Sequence, residues 1–323
     1  MKKALVLGAS GGMGYALVKE LVSRGVEVVA FARREDKLKM LFGQQQNVKI
    51  YAGDALVEGE VSRAAQGVDV IFHAINFPYQ VWNTTHLLCT DIVIRVAEKQ
   101  QAKIALVDNI YAYGAQHNEK VMEDTMKEPH TKKGKIRLAM ENKLKASHVP
   151  SLIVHFPDFY GPFAESTMLY ETLKNVVQHK SANFVGSTHV AREFVYTFDG
   201  AKAMVELALR ENTYNQNWNI PAVYPITGEE LIKIIREETG YQKSIRPVSK
   251  TMIRFIGMFQ PFMREVVEMM YLTETPVILS GQKYEAEIGA VPATSYQEGI
   301  KATLGWMMGP DLKVSNEREV TPQ

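Results

Sequence analysis

Ala4-Leu5-Val6-Leu7-Gly8-Ala9-Ser10-Gly11-Gly12-Met13-Gly14 stands just inside the start of the chain, and its reading decides the fold. Four apolar residues in a row read as a buried strand. The glycines that follow keep the spacing G-x-x-G-x-x-G. Tyr15 to Arg24 then carries apolar residues at helical spacing and stops at Gly25. Strand, glycine turn and helix in that order bring unpaired helix N–H groups and the positive end of the helix dipole to the turn. Glycines let the backbone turn tightly and approach a pyrophosphate closely, and Ser10 adds a hydroxyl donor. The predicted phosphate cradle is Gly8, Ser10, Gly11, Gly12, Met13 and Gly14; a plain tight turn is the other reading.

Outward from the turn, Val26–Phe31 is the next strand, and it ends in Phe31-Ala32-Arg33-Arg34. A site for NAD places Asp or Glu there on the ribose 2′-hydroxyl. Here two guanidinium groups follow instead, and Arg pairs with phosphate as a bidentate fork. The cofactor expected is therefore NADP rather than NAD; a solvated pair opening the helix Arg33-Arg34-Glu35-Asp36 is the alternative. Val48–Tyr51, Val68–Ala74, Lys103–Val107 and Ser151–Phe156 continue the strand series, with helical segments between them, the longest being Asn83–Gln101. Strands alternating with helices imply parallel pairing through right-handed crossovers, hence an α/β, Rossmann-like doubly wound sheet. Strands that are continuously apolar fit a sheet covered on both faces. Asp54, followed by Ala55, can accept from an adenine amino group or serve a simple turn. Ala74, Ile75 and Asn76 close the fourth strand and line the ribose side, and His73 reads as a core histidine.

The 323 residues suggest about two domains. After Pro162 helical patterns dominate: Thr167–His179, Gly200–Arg210, Gly228–Glu238 and Lys250–Leu272. The expected division is a dinucleotide domain over 1–162 and about 190–222. A smaller, mainly helical substrate domain takes 163–189 and 223–308, and a polar tail over 309–323 frays. The Met-rich stretch Met252–Leu272, with Phe255, Phe259, Phe262 and Met263, serves either core packing or a hydrophobic pocket or lid. Lys and Arg number 37 against 36 Asp and Glu, which excludes a broad electrostatic footprint for nucleic acid or an anionic membrane. The single cysteine, Cys89, cannot close an internal disulfide, so a reducing compartment is expected. No leader pattern and no apolar run long enough to span a membrane is present, so a cytoplasmic location is expected.

Beyond the glycine turn, Gly53-Asp54, Ala74 to Asn76, Tyr113-Gly114, Asp158-Phe159-Tyr160-Gly161-Pro162 and Arg192-Glu193-Phe194-Val195-Tyr196-Thr197-Phe198-Asp199 follow in a recognisable order. On these motifs the chain resembles the short-chain dehydrogenase/reductase superfamily, in its extended, epimerase/dehydratase-like branch. The resemblance implies a Rossmann-like domain with a C-terminal substrate domain. It also implies cofactor contacts from Phe156, Pro157, Asp158 and Phe159.

The catalytic elements depart from that pattern. The family's Ser-Ser-x-x-x-Val-Tyr-Gly stretch reads Val107-Asp108-Asn109-Ile110-Tyr111-Ala112-Tyr113-Gly114, and the active Ser or Thr position falls on Asn109. The family's Tyr-x-x-x-Lys pair falls on Lys133 and Arg137, and no Tyr lies between Tyr113 and Tyr160. Asp158 replaces an Asn, and His155 an Arg. The chain thus resembles atypical members that lack the catalytic pair.

A ketone becoming an alcohol needs a donor at the developing alkoxide. The candidates are Asn109, Tyr111 and Lys133; the other reading of Lys132, Lys133, Lys135 and Arg137 is a solvated helix start, with Arg137 on the nicotinamide ribose. Tyr113 either faces the substrate beside Tyr111 or packs under the sheet edge. Arg192 holds a substrate phosphate or forms a surface ion pair. No metal constellation is expected. The activity expected is NADP-dependent oxidoreductase or epimerase/dehydratase-like chemistry on a small carbonyl or hydroxyl substrate; the alternative is a non-catalytic NADP(H) redox sensor. The helices Asn83–Gln101 and Lys133–Ser147 resemble those that pair homodimers in the family, and neither nucleic acid nor membrane is expected as a partner.

Overall fold

The computed structural model of the protein describes residues 1–116 and 120–316. Its first half alternates strand and helix: β1 (Lys3–Leu7), α1 (Gly12–Ser23), β2 (Glu27–Ala32), α2 (Glu35–Phe42), β3 (Val48–Ala52), α3 (Glu58–Ala64), β4 (Val70–His73), α4 (Trp82–Gln100), β5 (Lys103–Asn109), α5 (Lys132–Ala146) and β6 (Ser151–Phe156). The second half is more helical. It runs β7 (Asp158–Tyr160), α6 (Met168–Val177), β8 (Ala182–Val185), β9 (Phe194–Tyr196), α7 (Thr197–Ala208), β10 (Gln216–Asn219), α8 (Gly228–Thr239), β11 (Ile245–Val248), α9 (Lys250–Gly257), α10 (Pro261–Val267), α11 (Gln282–Glu287) and α12 (Tyr296–Asn316).

Seven of these strands form one parallel sheet in the order β10-β6-β5-β4-β1-β2-β3. In β1, Ala4 and Val6 join the core under α1 and α7, while Leu5 and Leu7 join the core under α3, α4 and α5. All four are fully buried, so every position of the strand must be apolar. Each such burial contributes ~1.5–3 kcal/mol for the larger side chains. The chain runs outward through β2 and β3, then returns to the other side of β1 through β4. That reversal opens a crevice at the strands' C-terminal ends.

Six strands of this sheet were legible in the sequence, and β10, Gln216-Asn217-Trp218-Asn219, was not. Its letters are polar, yet Trp218 and Asn219 are fully buried. Asn219 is satisfied internally: Nδ2 donates to Val121 O at 2.9 Å, and Oδ1 accepts from the Tyr113 hydroxyl at 2.8 Å. Tertiary partners thus replace the apolar pattern.

In a third core, Tyr160, Leu169, Leu231, Ile235 and Tyr296 pack α6, α8 and α12 together. Two short parallel pairs accompany this layer: β8 with β11 lies within it, and β7, which follows directly on β6, pairs with β9. A Thr227–Glu230 capping box starts α8. The expected single helix over Lys250–Leu272 is instead α9, α10 and a 3₁₀ turn at Met270–Thr273. Pro261 opens α10, and a Cβ on Gly257 would stand 3.0 Å from the Arg264 backbone, so the chain folds back there. The tail expected from 309 is helical through Asn316 after a kink at Gly309 (φ 67°), and 317–323 lie outside the described residues.

Candidate functional site

Gly8 takes a φ of +84°, and a Cβ there would meet Ala74 O at 2.8 Å. The turn therefore lies against the end of β4. A Cβ on Gly14 would stand 2.1 Å from Gly8 O, so α1 rises directly off the turn. Extended Gly11 precedes α1, and no side chain caps its first N–H groups. Such N–H groups at a helix start suit an anionic group.

A cleft of about 430 Å³ opens at this point, a size in the range of small-molecule and cofactor sites. The ends of β1 to β6, with α5, bring together Gly8, Ser10, Gly11, Gly12, Met13, Gly14, Arg33, Arg34, Asp54, Ala55, Ala74, Ile75, Asn76, Asn109, Tyr111, Arg137, Pro157, Asp158 and Phe159. At one end Arg33 and Arg34 are exposed, and Arg34 Nη2 pairs with Asp36 Oδ2 at 2.9 Å. Lys37, which sequence reading passed over, also lines the cleft and pairs with Glu165 Oε2 at 3.2 Å. Its signal was available: it lies one helical turn beyond Arg33. Asp54 Oδ1 accepts from Leu56 N at 3.0 Å, which is the turn role, while the residue keeps its place in the lining.

At the other end, Asn109 Oδ1 accepts from Tyr111 N at 3.0 Å and so caps the 3₁₀ turn Ile110–Tyr113. That cap aims the Tyr111 hydroxyl at the Tyr79 hydroxyl, 2.8 Å away. Burial raises both phenols: Tyr79 is pushed up to about 12, and Tyr111 stands well above its ordinary value. Burial also raises Asp158, against a smaller opposing effect of Arg192. Tyr79 sits in no recognisable motif and was missed. His73 is buried and neutral, pushed down to about 3 by desolvation first and Arg137 second.

Arg137 holds buried donors that the protein itself leaves unpaired. It is 4% exposed and lies 4.8 Å over the Trp82 ring. Nη1 is 3.4 Å from Asp108 Oδ1, and Nη2 donates to Asn76 Oδ1 at 3.4 Å. The Asp108 approach is an ion pair without hydrogen-bond geometry, so Nε and Nη1 both lack a hydrogen-bond partner. Buried orphan donors are costly, and ribose hydroxyls would satisfy them. With the glycine cradle, these residues fit a dinucleotide.

Four expected site residues do not line the cleft. Lys133 is 2% exposed, with Nζ 2.7 Å from Glu265 Oε2 and also bonded to Glu268. Its position follows from α5, where Lys133, Arg137 and Glu141 share one buried stripe at i, i+4 and i+8. The solvated-face reading holds for Lys132 and Lys135 and fails for Lys133 and Arg137. Tyr113 is fully buried on Asn219, behind the cleft. Arg192 donates from Nη2 to Val185 O at 2.8 Å, with its guanidinium 5.1 and 5.2 Å over the Phe184 and Phe194 rings. Phe156 is buried in the core, 5.2 Å from the Phe159 ring.

Behind Arg137, Asp108, Glu141 and His155 converge within 4.8 Å. The Lys127 ammonium fills the gap between them, 2.9 Å from His155 Nε2 and bonded to Glu141. It neutralises the buried carboxylate that an ion would otherwise need to balance.

No curated protein matches the chain. Solved structures match it over nearly its whole length. A dTDP-glucose 4,6-dehydratase from Bacillus anthracis str. Ames in complex with NAD is 15% identical over 99% of this chain and 98% of its own, with a TM-score of 0.79. A UDP-glucuronic acid 4-epimerase from Bacillus cereus in complex with NAD is 17% identical over 94% and 98%, with a TM-score of 0.76. A UDP-glucose 4-epimerase from Thermotoga maritima is 18% identical over 94% and 98%, with a TM-score of 0.75. The chain therefore has the Rossmann-like fold of these epimerases and dehydratases. The NAD(P)H-binding family model matches residues 8–195, more than half of the chain and all of the glycine cradle, so the chain belongs to the NAD(P)H-binding family.

Proposed function

We propose that the protein is an NADP(H)-dependent oxidoreductase or epimerase-like enzyme acting on a small carbonyl or hydroxyl compound, with Tyr111 in the place of the missing family tyrosine. The observation that carries this reading is the Tyr111–Tyr79 hydroxyl pair, held at 2.8 Å inside the cleft that also holds the glycine cradle and Arg137. When bound, the nicotinamide supplies hydride transfer. The chain's own work is then to place the ring and manage one proton. Arg137 and Asn76 orient the ribose. Tyr111, protonated because burial holds its phenol high, donates to a developing alkoxide, and Tyr79 supports the hydroxyl from behind.

Arg33, Arg34 and Lys37 favour NADP over NAD. Their surface carboxylate partners are weak competitors for a 2′-phosphate, because exposed ion pairs gain little. A homodimer through α4 and α5 belongs to the same reading, with sedimentation velocity as its check.

NADPH oxidation followed against a panel of aldehydes, ketones and nucleotide-sugar ketones tests the activity. Turnover with some member of the panel, lost by roughly a hundredfold or more in Tyr111→Phe with KM little changed, is the expected result. Full activity in Tyr111→Phe refutes the assignment. The second reading, an NADP(H) redox sensor, is favoured by one observation: the residue at the family's tyrosine position, Lys133, is committed to Glu265 and Glu268. It predicts no turnover and unequal affinities for NADP+ and NADPH.

A further inference from the structure

The two sides of α9 have different environments. Ile253 is buried with Val266 and Met270, and Gly257 lies against the Arg264 backbone. Facing outward, Met252, Phe255, Met258 and Phe259 are 50, 62, 66 and 75% exposed. The Phe255 and Phe259 rings meet edge-on at 5.9 Å, so the four residues form a cluster rather than scattered contacts. Clustered exposed apolar side chains mark an interaction surface.

The charge around this cluster is one-sided. No Asp or Glu occurs from Lys250 to Arg264. Arg254 and Arg264 are exposed, and neither has a carboxylate partner among the described residues. Lys250 pairs with Glu274 at 3.5 Å. The first acids along the chain, Glu265 and Glu268, are turned inward to Lys133. An occupant must therefore offer apolar depth and anions at one boundary.

We propose that this face docks in the plane of an anionic lipid surface, with Phe255, Met258 and Phe259 at the acyl boundary and Arg254 and Arg264 on headgroup phosphates. A second copy in isologous contact would bring the same unpaired arginines together, which like charge opposes. No helix is long and apolar enough to cross a membrane, and in-plane docking needs none. The expectation of no membrane partner rested on spans and overall charge, neither of which reports a local patch. Because α10 reaches Lys133 beside Tyr79, docking and cleft would share one segment.

Vesicle flotation tests the proposal. Wild-type chain should float with phosphatidylcholine mixed equally with phosphatidylglycerol, and far less with phosphatidylcholine alone. Added salt should release it. Phe255→Ser/Phe259→Ser and, separately, Arg254→Gln/Arg264→Gln should each weaken flotation by about tenfold or more with unchanged thermal unfolding, since all four side chains are exposed. Absence of wild-type flotation on the anionic vesicles overturns the proposal, as does equal flotation of both double variants. So does a wild-type dimer that Phe255→Ser/Phe259→Ser disperses, because a second copy would then cover the face.

Discussion

Replacing Arg137 by Lys keeps a cation against Asp108 and Trp82 but removes the planar fork. In the structure Nε and Nη1 have no hydrogen-bond partner, while Nη2 holds Asn76 weakly at 3.4 Å. If the two orphan donors serve a ribose, a lysine retains at most one such bond. Loss of one charge-assisted hydrogen bond costs ~1.5–3 kcal/mol, or roughly 10- to 100-fold in Kd. Isothermal titration with NADP+ and with NADPH reads this directly. Both should weaken alike, because the ribose is common to the two redox forms. Arg137→Met serves as the contrast. It also strands the buried Asp108 carboxylate, so its unfolding free energy should fall by ~3–5 kcal/mol, while Arg137→Lys stays near wild type. If Arg137→Lys binds both cofactors as tightly as wild type, the orphan donors are not the ribose site, and the orientation assigned to the cleft is wrong.

Arg33→Ala/Arg34→Ala should weaken NADP+ binding by roughly tenfold or more and leave NAD+ unchanged, read in the same titration; equal losses for both would remove the 2′-phosphate assignment. Lys133→Met should lower stability in urea by ~1–3 kcal/mol, less than a fully buried pair because Glu265 and Glu268 are 34% and 24% exposed. Lost turnover at an unchanged midpoint would instead return Lys133 to the chemistry. Glu193 is 5% exposed and burial pushes its carboxyl up to about 7, despite accepted bonds from Leu279 N at 2.8 Å and Ala222 N at 3.2 Å. Its unfolded value lies near 4.3, so the folded state binds the extra proton, and stability falls as pH rises from about 4.3 to about 7 by up to roughly 4 kcal/mol. Glu193→Gln should flatten that slope in unfolding curves taken across the window; an unchanged slope would assign it to other groups.

The glycine turn and the end of β2 were legible because their chemistry is local. Gly14 is required by its contact with Gly8 O inside one strand–turn–helix unit, Gly8 by its own positive φ, and Arg33 and Arg34 follow the strand that aims them. Tyr79 and Lys37 were missed, although one lies beyond β4 and the other just beyond β2. Lys37 could have been found from its place one helical turn beyond Arg33, whereas no motif or periodicity marks Tyr79, which reaches the cleft from beyond the end of β4. Lys133 and Arg192 were misplaced for a different reason. A charged letter suggests solvent or a ligand, and only the folded chain shows Glu265, Glu268 or the Val185 carbonyl arriving to bind it.

By itself, the order of apolar runs and glycines determined the parallel doubly wound sheet, since a strand buried on both faces and a helix rising from a glycine turn are properties of neighbouring residues. The tertiary structure decided which of the candidate donors share the cleft. Tyr79 and Tyr111 stand 32 residues apart, and their 2.8 Å contact exists only because the ends of β4 and β5 lie side by side. It also decided that Asn219 could sit in a core strand and that Lys250–Leu272 would fold back at Gly257. Each of those outcomes depends on a partner distant in the chain, and local periodicity holds no record of distant partners.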